Sequence, residues 1–251
     1  MVQAPPRTAF GGPTLVRLLA RLADADVPAS TQSLSDRLSQ WLGWTDAIAL
    51  SSALNANPPA VMGSARPPGR AEDELCASVR NALTKAIAND AVLAVSRRTR
   101  APRGGSQAMP EQAGGDYAAF RQSYLSLQQA METDIGDLRG RLRALLAART
   151  SCLARLAVLD AVMERALFAR ERTLFASVPT LLGVYFERLC REAQVDAPPA
   201  TDASNDAPPM LSGERLDAFR RDVQSVLLAE LEVRFQPAEA LLAALRTRQA
   251  R

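Results

Sequence analysis

Apolar side chains recur at steps of three and four from Asp116 to Gln194, the longest amphipathic run in the chain. Tyr117, Phe120, Tyr124, Leu127, Met131, Ile135, Leu138, Leu142 and Leu145 thereby share one face of a helix. Successive steps of four at Leu127, Met131 and Ile135 relax supercoiling, so the spacing predicts a fairly straight helix over 116–148 rather than a strict coiled coil. Continuing the period would put Arg149 in the apolar seam, where an unpaired guanidinium carries a heavy desolvation cost. A break is expected there, with Thr150 and Ser151 as N-cap types for a second helix from about Cys152; one helix running through a snorkelling Arg149 is the alternative. The second helix would bury Leu153, Leu156, Met163, Leu167, Leu174 and Val178 and end or kink before Pro179. A third piece would run from Thr180 to Gln194.

The rest of the chain reads as shorter helices between linkers. Residues 1–12 are expected to be disordered, and 13–55 to form a small three-helix unit. Its first helix follows Gly12-Pro13 and carries Leu15, Leu18, Leu19 and Leu22; its second opens on the capping-box pattern Ser33 to Asp36 and carries Leu38, Trp41 and Leu42; its third is capped by Thr45 and carries Ile48 and Leu54. The proline pairs at 58–59 and 67–68 make 56–70 a linker. A helix over 71–100 opens with Glu72, Asp73 and Glu74 and closes near Arg97 and Arg98, each set complementing its end of the macrodipole, with Leu75, Val79, Leu83 and Ile87 as its seam. Residues 101–115 read as a flexible basic, Gly-rich loop, and 195–210 as a disordered, acidic, Pro-rich linker. Over 211–251, Ser212 caps a helix holding Leu216, Phe219, Val223, Leu227 and Leu231, and Pro237 starts a last one with Leu241, Leu242 and Leu245. No period-two run is bounded by turns, so the expected fold is all-α, a helical bundle built around the long central helical hairpin at 116–194.

Composition sharpens this picture chiefly by exclusion. The chain of 251 residues has no histidine, which removes Ser-His-Asp and Cys-His catalysis, His-dependent zinc sites and the Glu-x-x-His di-iron motif. It has neither G-x-x-x-x-G-K-[ST] nor G-x-G-x-x-G, so the common phosphate-cradling loops are missing. No cofactor is expected. Lys85, the only lysine, has no supporting motif and reads as an exposed helix residue. Three cysteines, Cys76, Cys152 and Cys190, lie far apart with no metal or redox spacing and read as small core residues in a reducing compartment. The N-terminus lacks an apolar h-region and no stretch reaches the ~18 apolar residues of a membrane span, so a cytoplasmic protein is expected.

Three groups of residues merit weighing. Asp160, Glu164 and Glu171 fall nearly on one line of a helix and could bind a divalent cation with carboxylates from elsewhere, the one route left to a hydrolase or nuclease; a solvated or Arg-paired stripe is the plainer reading. Arg97, Arg98, Arg100 and Arg103 cluster at a helix end, and Arg139 and Arg143 lie in a run of five arginines without an acid. These six are candidates for phosphate contact, although the run of five does not share a face and no aromatics interleave with it. The third group lies in the fourteen uncharged residues from Thr173 to Phe186: Leu174, Phe175, Val178, Leu181, Leu182 and Tyr185 form either a buried helix junction or a contact with a partner or a membrane surface.

The segments FGGPTLVRLLARLADADVP (10–28), LSDRLSQWLGWTDAIAL (34–50), LDAVMERAL (159–167) and FRRDVQSVLLAELEVRFQPAEALLAAL (219–245) together resemble an uncharacterised family of unknown function from Gram-negative bacteria. The resemblance carries no catalytic motif and transfers no site residue. What it implies is a setting: a locus similar to the Zorya type of anti-phage defence, beside a flagellar-stator-like inner-membrane motor pair. A cytoplasmic accessory protein in that setting would dock on the motor's helical tail or act on invading DNA. The reading of the residues themselves is a non-enzymatic helical protein that assembles with itself or another helical protein, with an arginine-dependent nucleic-acid-binding effector as the alternative.

Overall fold

The computed structural model describes residues 14–25, 32–56, 70–94, 116–195, 211 and 213–247. Seven helices are formed among the described residues: α1 (Thr14–Ala23), α2 (Leu34–Trp41), α3 (Trp44–Asn55), α4 (Arg70–Asn89), α5 (Tyr117–Ala147), α6 (Ser151–Val195) and α7 (Gly213–Thr247). No strand occurs among them. The fold is therefore an all-α helical bundle.

α5 and α6 form the hairpin. Asp116 caps α5 by accepting from Ala118 N, and the seam Phe120, Tyr124, Leu127, Met131, Ile135, Leu138 and Leu142 is buried along its length. Leu146, one residue past the expected Leu145, completes it. The helix stops before Arg149, and Thr150 Oγ1 accepts from Leu153 N to cap α6. Two helices meeting at a tight turn resolve the desolvation problem that a guanidinium in the seam would have posed.

α6 departs from expectation beyond that point, running unbroken through Pro179 to Val195. Proline removes the N–H that would have bonded the carbonyl of Phe175. Gln128 of α5 supplies a donor instead, its Nε2 lying 3.1 Å from Phe175 O, while Tyr117 OH donates to the carbonyl of Pro179. A side chain 47 residues away in sequence thus repairs the break that proline would cause. The expected end before Pro179 and the separate piece from Thr180 are corrected accordingly. The buried line also shifts, to Phe175, Val178, Leu182, Phe186 and Cys190, leaving Leu174 exposed and Met163 and Leu167 half-buried.

α7 lies along both hairpin helices and is likewise continuous through Pro237, not two helices as read from sequence. Its apolar stripe from Leu216 to Leu245 is almost wholly buried, each such side chain contributing about 1.5–3 kcal/mol. At one end Phe120 and Phe186 close on Phe219 with ring centroids 5.1 and 5.0 Å away, edge to face, so that one residue from each long helix meets. α4 packs on α5 and α7, with Arg80 4.5 Å above the Phe235 ring and ion-paired to Glu239. α4 ends at Asn89 rather than near Arg98, because Asp90 Oδ1 accepts from Val92 N and Leu93 N and turns the chain. Leu93 is then fully buried, and Arg220 and Gln224 of α7 bond the carbonyls of Val92 and Leu93.

α1 rests on α6 and α7, and ends with Asp24 at φ 50° and Ala25 N bonded back to Ala20 O, a left-handed cap. α2 begins with the capping box read from sequence, Ser33 Oγ accepting from Asp36 N at 3.1 Å. α3 starts two residues earlier than expected: Gly43 rather than Thr45 is its cap, with Gly43 N donating to Asp46 Oδ2 at 3.1 Å. Of the cysteines, Cys76 and Cys190 are buried as expected, whereas Cys152 is exposed at the start of α6. The segments read as disordered or flexible at 1–12, 101–115 and 196–210, the bulk of the 56–70 linker, and the Ser212 cap lie outside the described residues.

Candidate functional site

The polar interior is organised around Glu230 of α7, a carboxylate with no solvent exposure. Burying it without partners would cost many kcal/mol, and three donor groups making four contacts prevent that. Tyr124 OH lies 2.7 Å from Oε2; Gln128 Nε2 lies 2.9 and 3.0 Å from the two oxygens; Arg234 Nε lies 2.8 Å from Oε1. Arg234 also stacks 3.9 Å above the Phe175 ring. Gln128 joins this cluster to the carbonyl freed by Pro179, so one connected network ties α5, α6 and α7 together. Burial, and then the neighbouring carboxylate, push the Tyr124 hydroxyl well above its usual pKa, so that it remains a donor. The helical period alone did not reveal this network, because Gln128, Glu230 and Arg234 sit among apolar neighbours as isolated polar residues; an unsplit polar residue inside an apolar stripe is the signal that could have found it.

A second polar cluster crosses the hairpin near its turn. Arg139 of α5 contacts Asp160 at 2.8 Å and Glu164 at 3.0 Å; Arg143 contacts them at 3.0 and 2.5 Å. The Asp160 and Glu164 pair is thus Arg-paired, by α5 rather than by the neighbouring Arg165. Glu171, one of the three weighed acids, lines an open cleft of about 360 Å³ between α5 and α6 with Met131, Ile135, Phe168 and Arg172. Among the described residues, no group of three or more His, Cys, Asp or Glu side chains converges as metal ligands. Arg139 and Arg143 are thereby committed to carboxylates, with their side chains largely buried. Arg97, Arg98, Arg100 and Arg103 lie outside the described residues.

The third group divides. Phe175, Val178 and Leu182 are core residues, and Tyr185 is half-buried with its OH 2.7 Å from Asp222 Oδ2. These four do not form an outward interface, because the corrected register of α6 turns them inward. Leu174 and Leu181 stay outside, 50% and 40% exposed, and are joined by Val184 at 58%, which the sequence reading missed. α3 adds Trp44 at 81% exposure, with Ile48 and Leu54 also exposed. α3 is apolar on nearly every side, yet only its Ala53 side is buried. No helix among the described residues is long and apolar enough to cross a membrane.

These features define a helical bundle whose interior charges are consumed in holding its own helices together and whose outer apolar residues gather on α3 and α6. The chain belongs to the family described as "Protein of unknown function (DUF3348)", which it matches over residues 1–247. No curated protein and no solved structure is matched by it.

Proposed function

We propose that this protein is a non-enzymatic helical adaptor that assembles with itself or with another helical protein. The observation that carries the proposal is the set of uncovered apolar side chains on α3 and α6, Trp44, Ile48, Leu54, Leu174, Leu181 and Val184. Leaving such a set in water forfeits hydrophobic stabilisation that a partner helix recovers. The same surface fits the cytoplasmic setting suggested by the family resemblance, an accessory of a Gram-negative anti-phage locus of the Zorya kind docking on a motor's helical tail. Light scattering of the purified full-length chain, alone and mixed with the tail of a co-encoded motor protein, tests the proposal. A larger species in either sample is expected; a strict monomer that leaves the tail unbound overturns it.

The alternative, an arginine-dependent nucleic-acid effector, rests on Arg97, Arg98, Arg100 and Arg103, four cations within seven residues. It requires DNA affinity that falls steeply with salt and a shallower slope once all four are changed to Ala. It is the weaker reading because Arg139 and Arg143, which would have helped them, are tied to Asp160 and Glu164.

A further inference from the structure

The open cleft between α5 and α6, about 360 Å³ in volume, falls within the range of small-molecule sites, about 300–1,000 Å³, and its lining changes in character from floor to mouth. Arg234 of α7 lies at the floor, its side chain only 9% exposed. Its Nε is taken up by Glu230, which matches its charge, but its two terminal amino groups bond nothing among the described residues and are not sealed from solvent. Those two groups form a planar fork of the kind that grips a carboxylate by parallel hydrogen bonds. Met131 and Ile135, both buried, and the partly exposed Phe168 make the apolar wall. Gly136 continues that wall: a Cβ there would meet nothing within 4 Å, so close packing does not explain a glycine in a helix interior, where alanine is the more stable residue. At the mouth stand Glu132, Asp137 and Glu171, half-buried or exposed and without an ion pair, and beside them Arg172 is the single base, 5.9 Å over the Phe168 ring. Arg139 and Glu164 also line the cleft but are already held by each other, Arg143 and Asp160.

These three levels select a ligand. With Arg234 matched by Glu230 and Arg139 by its carboxylates, the charge left over is three acids against one base, all at the mouth. A purely anionic molecule would meet those acids, and a phosphate would bring a second negative charge close to Glu230. A purely cationic one would suit the mouth but leave the Arg234 fork unbonded and put like charges together. A molecule with a carboxylate at one end, an aliphatic stem and a cation at the other satisfies floor, wall and mouth at once, the stem lying along apolar surface as lysine and arginine stems do in proteins. We infer that the cleft binds a free basic amino acid of the lysine or arginine type, its carboxylate on the terminal amino groups of Arg234, its stem against Met131, Ile135 and Gly136, and its side-chain cation among Glu132, Asp137 and Glu171. Gln129 and Thr133, which also line the cleft, offer neutral acceptors to the α-ammonium, and the ligand's net positive charge offsets the excess of acid. Such a site is separate from the apolar residues on α3 and α6 and is independent of any docking there.

Isothermal titration calorimetry of the full chain tests this with L-lysine and L-arginine, with cadaverine, which lacks the carboxylate of lysine, and with L-norleucine, which lacks its side-chain cation. At least one of the two basic amino acids is expected to bind with a submillimolar Kd, and cadaverine and norleucine at least ~10-fold more weakly than lysine or arginine, whichever is the tighter. Gly136→Leu puts a side chain into the cleft where there is room for it; it should keep the helical circular dichroism signal, melt no lower than wild type because glycine is the poorer helix former, and abolish the binding heat. A residue that served packing alone would not separate stability from binding in this way. Asp137→Asn combined with Glu171→Gln, both at the mouth, should leave the fold intact and weaken binding at least ~5-fold, which decides the matter should Gly136→Leu melt early. No heat with either basic amino acid, cadaverine as tight as lysine, or binding that survives both variants overturns the inference.

Discussion

Replacing Glu230 by Gln changes no volume and removes one charge, which makes it a direct probe of the interior network. The variant keeps an acceptor for Tyr124 or Gln128 but leaves the Arg234 guanidinium, only 9% exposed, without its counter-charge. Its remaining compensation is the Phe175 ring 3.9 Å away, worth about 0.5–2 kcal/mol, against about 3–5 kcal/mol for breaking a buried pair from one side. Gln128 adds a second loss, since its single amide holds both Glu230 and the Phe175 carbonyl freed by Pro179. The expected result is therefore a destabilisation of about 3–5 kcal/mol, lowering Tm by roughly 6–20 °C for a chain of this size. Urea unfolding followed by circular dichroism measures it. Changing Glu230 and Arg234 together to Met should recover much of the loss, because the uncompensated cation is then gone. A Glu230→Gln variant within ~1 kcal/mol of wild type would refute the claim that this network holds the three long helices together.

Three further outcomes follow from the same geometry. Tyr117 is pushed up to about 12 by burial, and burial also raises Tyr124 and Tyr185, so all three tyrosines of the chain favour the neutral form when folded. The stability they supply is complete below the unfolded pKa of ~10 and is lost as pH rises through the folded values; tyrosinate absorbance should appear together with loss of helical signal, and a titration near ~10 with the helices intact counts against it. Gly183→Ala puts a Cβ 2.9 Å from the Tyr117 ring, which is anchored by its bond to Pro179 O; overpacking of about 1–3 kcal/mol should exceed the ~1 kcal/mol gained in helix propensity, so a raised melting temperature would be the contrary result. Asp160→Asn should cost about 1.5–3 kcal/mol through Arg139 and Arg143, whereas Asp134→Asn on the exposed face should be near neutral; equal effects in denaturant titrations would remove the distinction.

The linear chain determined the helical class and the α5 seam, because a period of 3.6 residues leaves its record in every turn whatever the helix packs against. It also marked the turn at Arg149, where a charge in an apolar register forces a break that Thr150 can cap, and the capping box at Ser33. Local rules failed at Pro179, Pro237 and Asn89. Pro179 looked like a terminator until Gln128, from another helix, satisfied the carbonyl it frees. Pro237 sits in a helix that packs on α4 and α5 as well as α1 and α6. α4 gave way early because Asp90 captured the next amides and Leu93 found a closed core. The partner candidates divided for the same reason: continuing α6 through Pro179 fixed its rotation, sending Phe175, Val178 and Leu182 inward and leaving Leu174 and Leu181 outside. Arg139 and Arg143 were free cations in the sequence and became structural ones once the hairpin closed and brought Asp160 and Glu164 within 3 Å. Spacing along a chain records which faces are apolar, but which polar groups meet depends on how helices far apart in sequence are brought together.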